Sequence, residues 1–375
     1  MLSQLRDVGH LVEAASDEAE RASRISPEVL QALRRAGCFR MATPSAYGGE
    51  DLPLPTVLAV VEELARTDGA VGWVVGQVAL SQIMLSYLPR AALDRIYADE
   101  PDVMCAGATT PKGRAVAIGG SWRVNGRWPL VSGALDASWI YLQCFVVQRH
   151  KIQLGPDGLP SMRMAIFPAH ELEVIETWDA VGLRATASHD VEALHAICPA
   201  GWSVELANSA PRGVITRIPP SAQGGLFVAA TVLGIAAGAL DALCELAAAG
   251  KRPAFSQLKL ADRPLLQNEL GEALLSLEAA HALLHSECAR ADAHVAYGCE
   301  LGPQDTARIR AASVKAIELA VGSVDAAYRL AGASAVYASS TLQRRLRDVH
   351  TATQHFTAGR AFYAPLGALL AGANV

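Results

Sequence analysis

Apolar positions change their spacing twice along the chain. From residue 1 to about 102 they recur at helical spacing. The opening segment, MLSQLRDVGHLVEAASDEAE, reads as an amphipathic, charged helix. Ser26-Pro27-Glu28 is a helix start, with Ser as N-cap and Pro in the first helical position. Leu30, Leu33 and Arg34 carry that helix on, and Gly37 is placed to end it. A loop over residues 44–50 precedes two strongly apolar helices, predicted over 56–65 and 71–88.

Near residue 103 the helical spacing gives way to short alternating runs, such as Trp122-Arg123-Val124-Asn125 and Trp139-Ile140-Tyr141-Leu142. Four of the six tryptophans (Trp122, Trp128, Trp139, Trp178) fall here, with Trp202 at the far edge. Gly119-Gly120, Asn125-Gly126, Pro156-Asp157-Gly158 and Gly182 punctuate the runs, which predicts a β-rich domain with hairpins. From Ser221 the helical texture returns. An Ala-rich stretch over 226–240 is followed by leucines from Leu265 to Leu284 that mark a long helix. Helices are also predicted over 303–333 and 340–370. The expected organisation is an N-terminal helical domain (1–102), a β domain (103–205) and a C-terminal four-helix bundle (206–375).

Composition narrows the class. Hydrophobic residues make up 51% of the 375 and charged residues 18%, with a net charge of −5. No long basic run occurs, so nucleic acid is not an expected partner. The seven cysteines are scattered with no CxxC, which argues against a zinc ribbon and a disulfide scaffold. Free thiols in a reducing cytoplasm are the expectation. The charged N-terminus does not read as a signal peptide. The most apolar run, 225–240, is short of the roughly 18–20 residues of a membrane span and suits a buried helix; no membrane partner is expected.

Several familiar chemistries lack their signals. No G-x-G-x-x-G follows a strand, and neither G-x-x-x-x-G-K-[ST] nor G-x-S-x-G occurs. His281 and His285 have the i,i+4 spacing of a metal pair, but no Glu completes H-E-x-x-H. Partly buried polar positions are the expectation there, and no metal is assigned. Residues 179–190, DAVGLRATASHD, form a small-residue loop rich in hydroxyls. Such a loop either donates hydrogen bonds to a ligand or is simply a long turn. Trp128 to Gly133 reads as a turn between strands with a core Trp. The densest polar cluster is LQRRLRDVHTATQHF, residues 342–356, with no Glu and no Lys. It is either a solvated basic helix face or one wall of a site where His355 moves protons.

Taken in order, five stretches resemble one family. They are Pro44-Ser45-Ala46-Tyr47-Gly48-Gly49; Glu62-Glu63-Leu64-Ala65-Arg66-Thr67-Asp68-Gly69 through Gly72-Trp73; and Gly126-Arg127-Trp128-Pro129 through Ser132-Gly133. Gly182-Leu183-Arg184-Ala185-Thr186 with Ser188 comes next, then Gln343-Arg344 through Arg347-Asp348 to Gln354-His355. Together they resemble the acyl-CoA dehydrogenase superfamily, in its branch of two-component flavin-dependent monooxygenases with a type 2 C-terminal domain. The resemblance runs from about residue 20 to 372.

It implies a mainly α fold with a central β domain: helical N-terminal domain, β-barrel-like middle domain and C-terminal four-helix bundle, assembling as a cytoplasmic homotetramer. It also implies a hydroxylase that receives reduced FAD or FMN from a separate NAD(P)H-dependent flavin reductase. Molecular oxygen and that flavin would form a C4a-hydroperoxide, which hydroxylates an aromatic or other electron-rich small molecule. In that picture His355 is the general acid or base. Ser132 hydrogen-bonds near flavin N5 or the peroxide, next to Gly133. Trp128 walls the ring, and Thr109 belongs to the flavin-contacting loop of the β domain. Arg252 and Ser256 are candidates for the flavin phosphate, and Gly332 and Ser334 for meeting a neighbouring subunit's flavin. His350 ranks second to His355, since five residues on a regular helix turn it about 140° away.

Two other enzymatic readings stay open: an acyl-CoA dehydrogenase-type flavin oxidoreductase acting on a thioester, and an N-oxygenase of an amine. A non-catalytic member retained for assembly is a further alternative. Many dehydrogenases carry a Glu base where this chain has Phe356, and no Asp or Glu follows Asp348. That departure favours the monooxygenase branch.

Overall fold

The computed structural model describes residues 5–206, 209 and 217–373. The first four residues of the predicted N-terminal helix lie outside these. Five helices come first: α1 (Leu5–Ala22), α2 (Pro27–Arg35), α3 (Leu54–Thr67), α4 (Gly69–Leu85) and α5 (Arg90–Ile96). The α2 start is as the sequence predicts, since Ser26 accepts from the backbone N–H of Val29 at 3.3 Å and Pro27 occupies the first turn. Asp68 ends α3 and starts α4, its side chain accepting from the N–H groups of Ala70 and Val71.

Eight strands follow: β1 (Cys105–Ile118), β2 (Ser121–Val131), β3 (Trp139–Gln148), β4 (Lys151–Ile152), β5 (Met162–Pro168), β6 (Glu173–Ile175), β7 (His189–Pro199) and β8 (Ser203–Val204). They form one sheet in the order β6-β7-β2-β1-β3-β5-β8, with β4 paired to β3. Among the described residues no pairing closes β6 onto β8. Gly119 and Gly120, both at positive φ, make the β1–β2 hairpin turn. Asn125-Gly126 does not turn the chain. It lies inside β2, where the register with β7 shifts. A Cβ on Gly113 would come within 2.1 Å of the Trp128 ring, and one on Gly126 within 2.5 Å of the Gly113 backbone. These glycines are there to admit Trp128, which is wholly buried at the centre of the β-domain core with Val124, Ile140, Leu142, Phe167 and Val191.

The bundle consists of α6 (Pro220–Ala248), α7 (Pro264–Ala296), α8 (Pro303–Ala331), α9 (Thr341–Ala352) and α10 (Tyr363–Leu370). By length and composition α6 is apolar enough to cross a membrane, a longer helix than the apolar run suggests. Yet 83% of its most apolar window is buried inside the fold, packed on α3, α4, α8 and α9. Its small residues admit close neighbours: a Cβ on Gly234 would lie 2.2 Å from the Glu62 carbonyl oxygen, and one on Gly238 2.2 Å from that of Arg66. The N-terminal helices and the bundle consequently share one hydrophobic core, with Leu33, Leu58 and Val61 joined to Leu226, Ile235 and Leu284.

The predicted helix over 340–370 is not continuous. Thr353 Oγ1 and Gln354 Nε2 both donate to the His350 carbonyl, at 2.7 and 3.4 Å. The N–H groups of Gln354 and His355 tighten onto carbonyls three residues back. Side chains that compete for the last carbonyls end a helix, so His355 sits past the end of α9 with extended backbone and caps a short 3-10 turn, Phe356–Ala358.

Candidate active site

Where the β domain meets α4, α6 and α9, a cavity of about 1070 Å³ opens. Ligand pockets typically hold roughly 300–1,000 Å³, so the space suits a large planar cofactor and a small substrate together. Trp73, Leu80, Met84, Tyr141 and Trp178 provide apolar walls. No Asp or Glu is among the lining residues described.

Four of the sequence-predicted residues meet here: Thr109, Trp128, Ser132 and His355. Trp128 stands in β2 rather than in a turn, and its indole N–H donates to the Gln143 carbonyl at 2.8 Å. The turn comes after it, at Ser132-Gly133. Gly133 takes φ 73 and its N–H donates to the Thr186 carbonyl at 3.0 Å. His350 lines the same cavity as His355, because the regular helix that would have separated them stops at Ala352. Its Nε2 lies 2.8 Å from Asp325 Oδ1.

Arg252, Ser256, Gly332 and Ser334 are not brought to this cavity. Arg252 and Ser256 lie between α6 and α7, bonded locally to the Gln257 and Leu258 carbonyls. Gly332 and Ser334 form the short turn after α8.

Ser132 is the end of a chain of hydroxyls. Its Oγ accepts from the Trp73 indole N–H at 3.0 Å and lies 2.7 Å from Ser188 Oγ, which lies 2.7 Å from Thr186 Oγ1. Thr186 donates to the Leu183 carbonyl at 2.8 Å. A carbonyl can only accept, and each hydroxyl has a single hydrogen. The chain therefore runs one way: Ser132 donates to Ser188, Ser188 to Thr186 and Thr186 to Leu183. Ser132 keeps one lone pair and no free hydrogen, so it can accept a further hydrogen bond but not donate one. The hydroxyl-rich loop thus supplies two links of that chain, Thr186 and Ser188. Trp73 and Trp178 are the parts that sequence reasoning missed; Trp73 had a signal, as a lone indole in an otherwise apolar helix.

His355 Nδ1 is 2.8 Å from Thr357 Oγ1, and Nε2 makes no hydrogen bond among the described residues. The Thr357 backbone N–H also donates to Nδ1, at 3.4 Å, so Nδ1 is the accepting nitrogen and the neutral ring carries its proton on Nε2. Trp73 stands edge-on to the imidazole, with ring centroids 5.8 Å apart. Burial lowers the His355 pKa to about 4, so the ring is neutral near pH 7.

The arginines before it are not a solvated face. Arg344 pairs with Asp17, and Arg345 donates to the Ala65 and Thr67 carbonyls at 3.3 and 3.0 Å. Arg347 bonds the Val181 carbonyl and pairs with Glu20 at 2.7 Å. Asp348, fully buried, accepts from the Leu183 N–H at 2.6 Å. Burial, with Asp68 nearby, pushes its carboxyl up to about 7. The helix α9 is a bracket that clamps α1, α3 and the loop over 179–187 around the cavity.

Comparison with known proteins agrees with this architecture. The acyl-CoA dehydrogenase N-terminal domain matches residues 8–90, and the acyl-CoA dehydrogenase C-terminal domain matches residues 226–359. Indole-3-acetate monooxygenase of Pseudomonas putida is 29% identical over 360 residues, 95% of this chain and 89% of that protein. The flavin-dependent monooxygenase oxygenase subunit HsaA of Rhodococcus jostii is 26% identical over 353 residues, 91% of this chain and 90% of its own length. XiaF from Streptomyces sp., solved in complex with FADH2 and glycerol, superposes with a TM-score of 0.91 at 25% identity, covering 99% of this chain and 95% of that one. The chain belongs to the acyl-CoA dehydrogenase superfamily. Within it, homologues such as HsaA are oxygenase subunits of flavin-dependent monooxygenases.

Proposed function

We propose that the protein is a reduced-flavin-dependent monooxygenase that hydroxylates a small aromatic substrate. A separate NAD(P)H-dependent reductase supplies reduced FAD or FMN, and molecular oxygen is the second substrate. Overall, an aromatic C–H becomes C–OH, the other oxygen atom leaves as water, and the flavin leaves oxidised. One observation carries this reading: the cavity holds a neutral imidazole, His355, together with a one-way hydroxyl chain ending at Ser132, with no carboxylate among the described lining residues. A thioester α-proton needs a base aimed at it, and Phe356 stands where a dehydrogenase base would.

The cavity fits the flavin by its donor set. Ser132 can only accept there, which matches an N–H edge of a reduced flavin and not the bare nitrogen of the oxidised ring. Bound reduced flavin supplies the activation of oxygen. Trp73, Leu80, Met84 and Trp178 exclude water around it. His355, whose Nδ1 accepts from Thr357, presents Nε2–H to the cavity, where it gives a proton to the departing oxygen and regains one from the hydroxylated ring.

Arg252, Ser256, Gly332 and Ser334 serve, in this reading, a flavin bound by a neighbouring subunit of a homotetramer. Exposed Leu265, Leu274 and Leu275 on α7, and an α10 with no buried residue, support association through the bundle. Five of the seven cysteines are buried free thiols, which supports a cytoplasmic setting.

Anaerobic titration tests the first step: reduced FAD or FMN should bind more tightly than the oxidised form. Product analysis tests the second, with a flavin reductase, oxygen and a panel of phenols and indoles including indole-3-acetate. Equal affinity for both flavin forms, or consumption of oxygen yielding only hydrogen peroxide across the panel, would remove the reading.

A further inference from the structure

His281 and His285 have no part in the cavity. They lie one helical turn apart on α7, so their side chains leave the same face. Their rings stack, with centroids 4.2 Å apart and planes 26° apart. On α7 alone they lack the third ligand that a metal would need. Packing of α3 on α7 supplies it from a distant part of the chain. Glu62 Oε1 lies 2.6 Å from His285 Nε2, and Glu62 Oε2 lies 3.3 Å from His281 Nε2. Ligand atoms of all three residues fall within 4.8 Å of one another.

We propose that Glu62, His281 and His285 form a site for a divalent transition metal of the zinc class, which clips the N-terminal helices onto the bundle. Imidazole and carboxylate are ligands of that class, whereas magnesium and calcium prefer oxygen alone. Zinc bonds of about 2.0–2.2 Å at tetrahedral angles put ligand atoms roughly 3.4 Å apart. The His281–Glu62 separation of 3.3 Å already has that spacing. The His285–Glu62 pair needs to open by under about 1 Å, as an ion replaces the shared proton. Exposure is graded across the site. The Glu62 and His285 side chains are 14% and 20% exposed and His281 is 55% exposed, so solvent reaches one edge, where water completes the shell. Since the site joins two elements far apart in sequence and binds only when folded, an ion there stabilises the assembled fold.

Equilibrium dialysis of the full-length protein against micromolar zinc, followed by elemental analysis, is the direct test. One equivalent per chain should be retained, with a rise in Tm of a few degrees at saturation. Cobalt(II) in place of zinc should give visible d–d bands. His281→Ala, at an exposed position, should fold normally and lose the equivalent, the Tm rise and the bands; Glu62→Gln and His285→Ala should lose them too. No zinc above the His281→Ala level would overturn the proposal. So would zinc retained equally by all three variants, which would place it at another site such as Cys244 or Cys299.

Discussion

The two halves of the polar segment 342–356 look alike as sequence and behave oppositely in the fold. In α9, the side chains of Arg344, Arg345, Arg347 and Asp348 bond to α1, α3 and the loop over 179–187. Past the end of α9, His355 has no partner on Nε2 among the described residues and faces a cavity. The difference teaches how to separate structural from chemical polar groups. A buried group whose partners are all protein holds the fold together, and one with an unused atom aimed at empty space is available to a ligand.

The comparison breaks if the two halves respond alike to mutation. The largest effect expected is at His355. General acid–base catalysis is worth roughly 10²–10⁴ in rate, so His355→Ala should lower coupled hydroxylation by about that factor while reduced-flavin binding and Tm change little. His355→Asn should do nearly the same. Near-wild-type turnover by His355→Ala would move the role to His350, which lines the same cavity.

Asp348→Ala should show the reverse pattern. It strands the buried Leu183 N–H, a loss of about 1–3 kcal/mol, and loosens the loop that carries Thr186 and Ser188. Denaturant unfolding should register that loss. Asp348→Asn, which keeps the accepting oxygen, should lose much less.

Titration sharpens the contrast further. His355 is held near 4, below its unfolded value of about 6.5. The folded protein then binds fewer protons than the unfolded chain between these values. The stability it contributes is complete above about 6.5 and is lost as pH falls through about 4. Asp348 is held near 7, above the ordinary 3.8. Its contribution is complete below 3.8 and is lost as pH rises through about 7. His355→Ala should flatten the acid side of a Tm-against-pH curve, and Asp348→Asn the neutral side. Curves superimposable on the wild type would show that neither group is buried as described.

The smallest effect belongs to Ser132. One neutral hydrogen bond is worth about 0.5–1.5 kcal/mol, so Ser132→Ala should weaken reduced flavin by up to about tenfold and leave the oxidised form nearly unchanged. It should also raise the hydrogen peroxide formed per substrate hydroxylated. A uniform loss for both flavin forms would disconnect the hydroxyl chain from selection of the redox state.

Sequence alone determined the order of elements. Helical spacing before residue 103, alternation after it and helical spacing again from Ser221 follow from local periodicity, and periodicity survives without tertiary contacts. The Ser26 cap, the Gly119-Gly120 turn and the apolar α6 were legible for the same reason. Motif order was enough to name the family and to nominate Thr109, Trp128, Ser132 and His355. Tertiary structure decided what local pattern cannot carry. Asn125-Gly126 has the chemistry of a turn, yet it is strand, because Trp128 needs the space. The helix expected through 370 ends at Ala352, since the Thr353 and Gln354 side chains take the His350 carbonyl. The hydroxyl chain joins residues 73, 132, 186 and 188, and Glu62 meets His281 and His285 across more than 200 positions. Such pairings depend on how faces pack once apolar surface is buried, and no single segment of the chain contains that information.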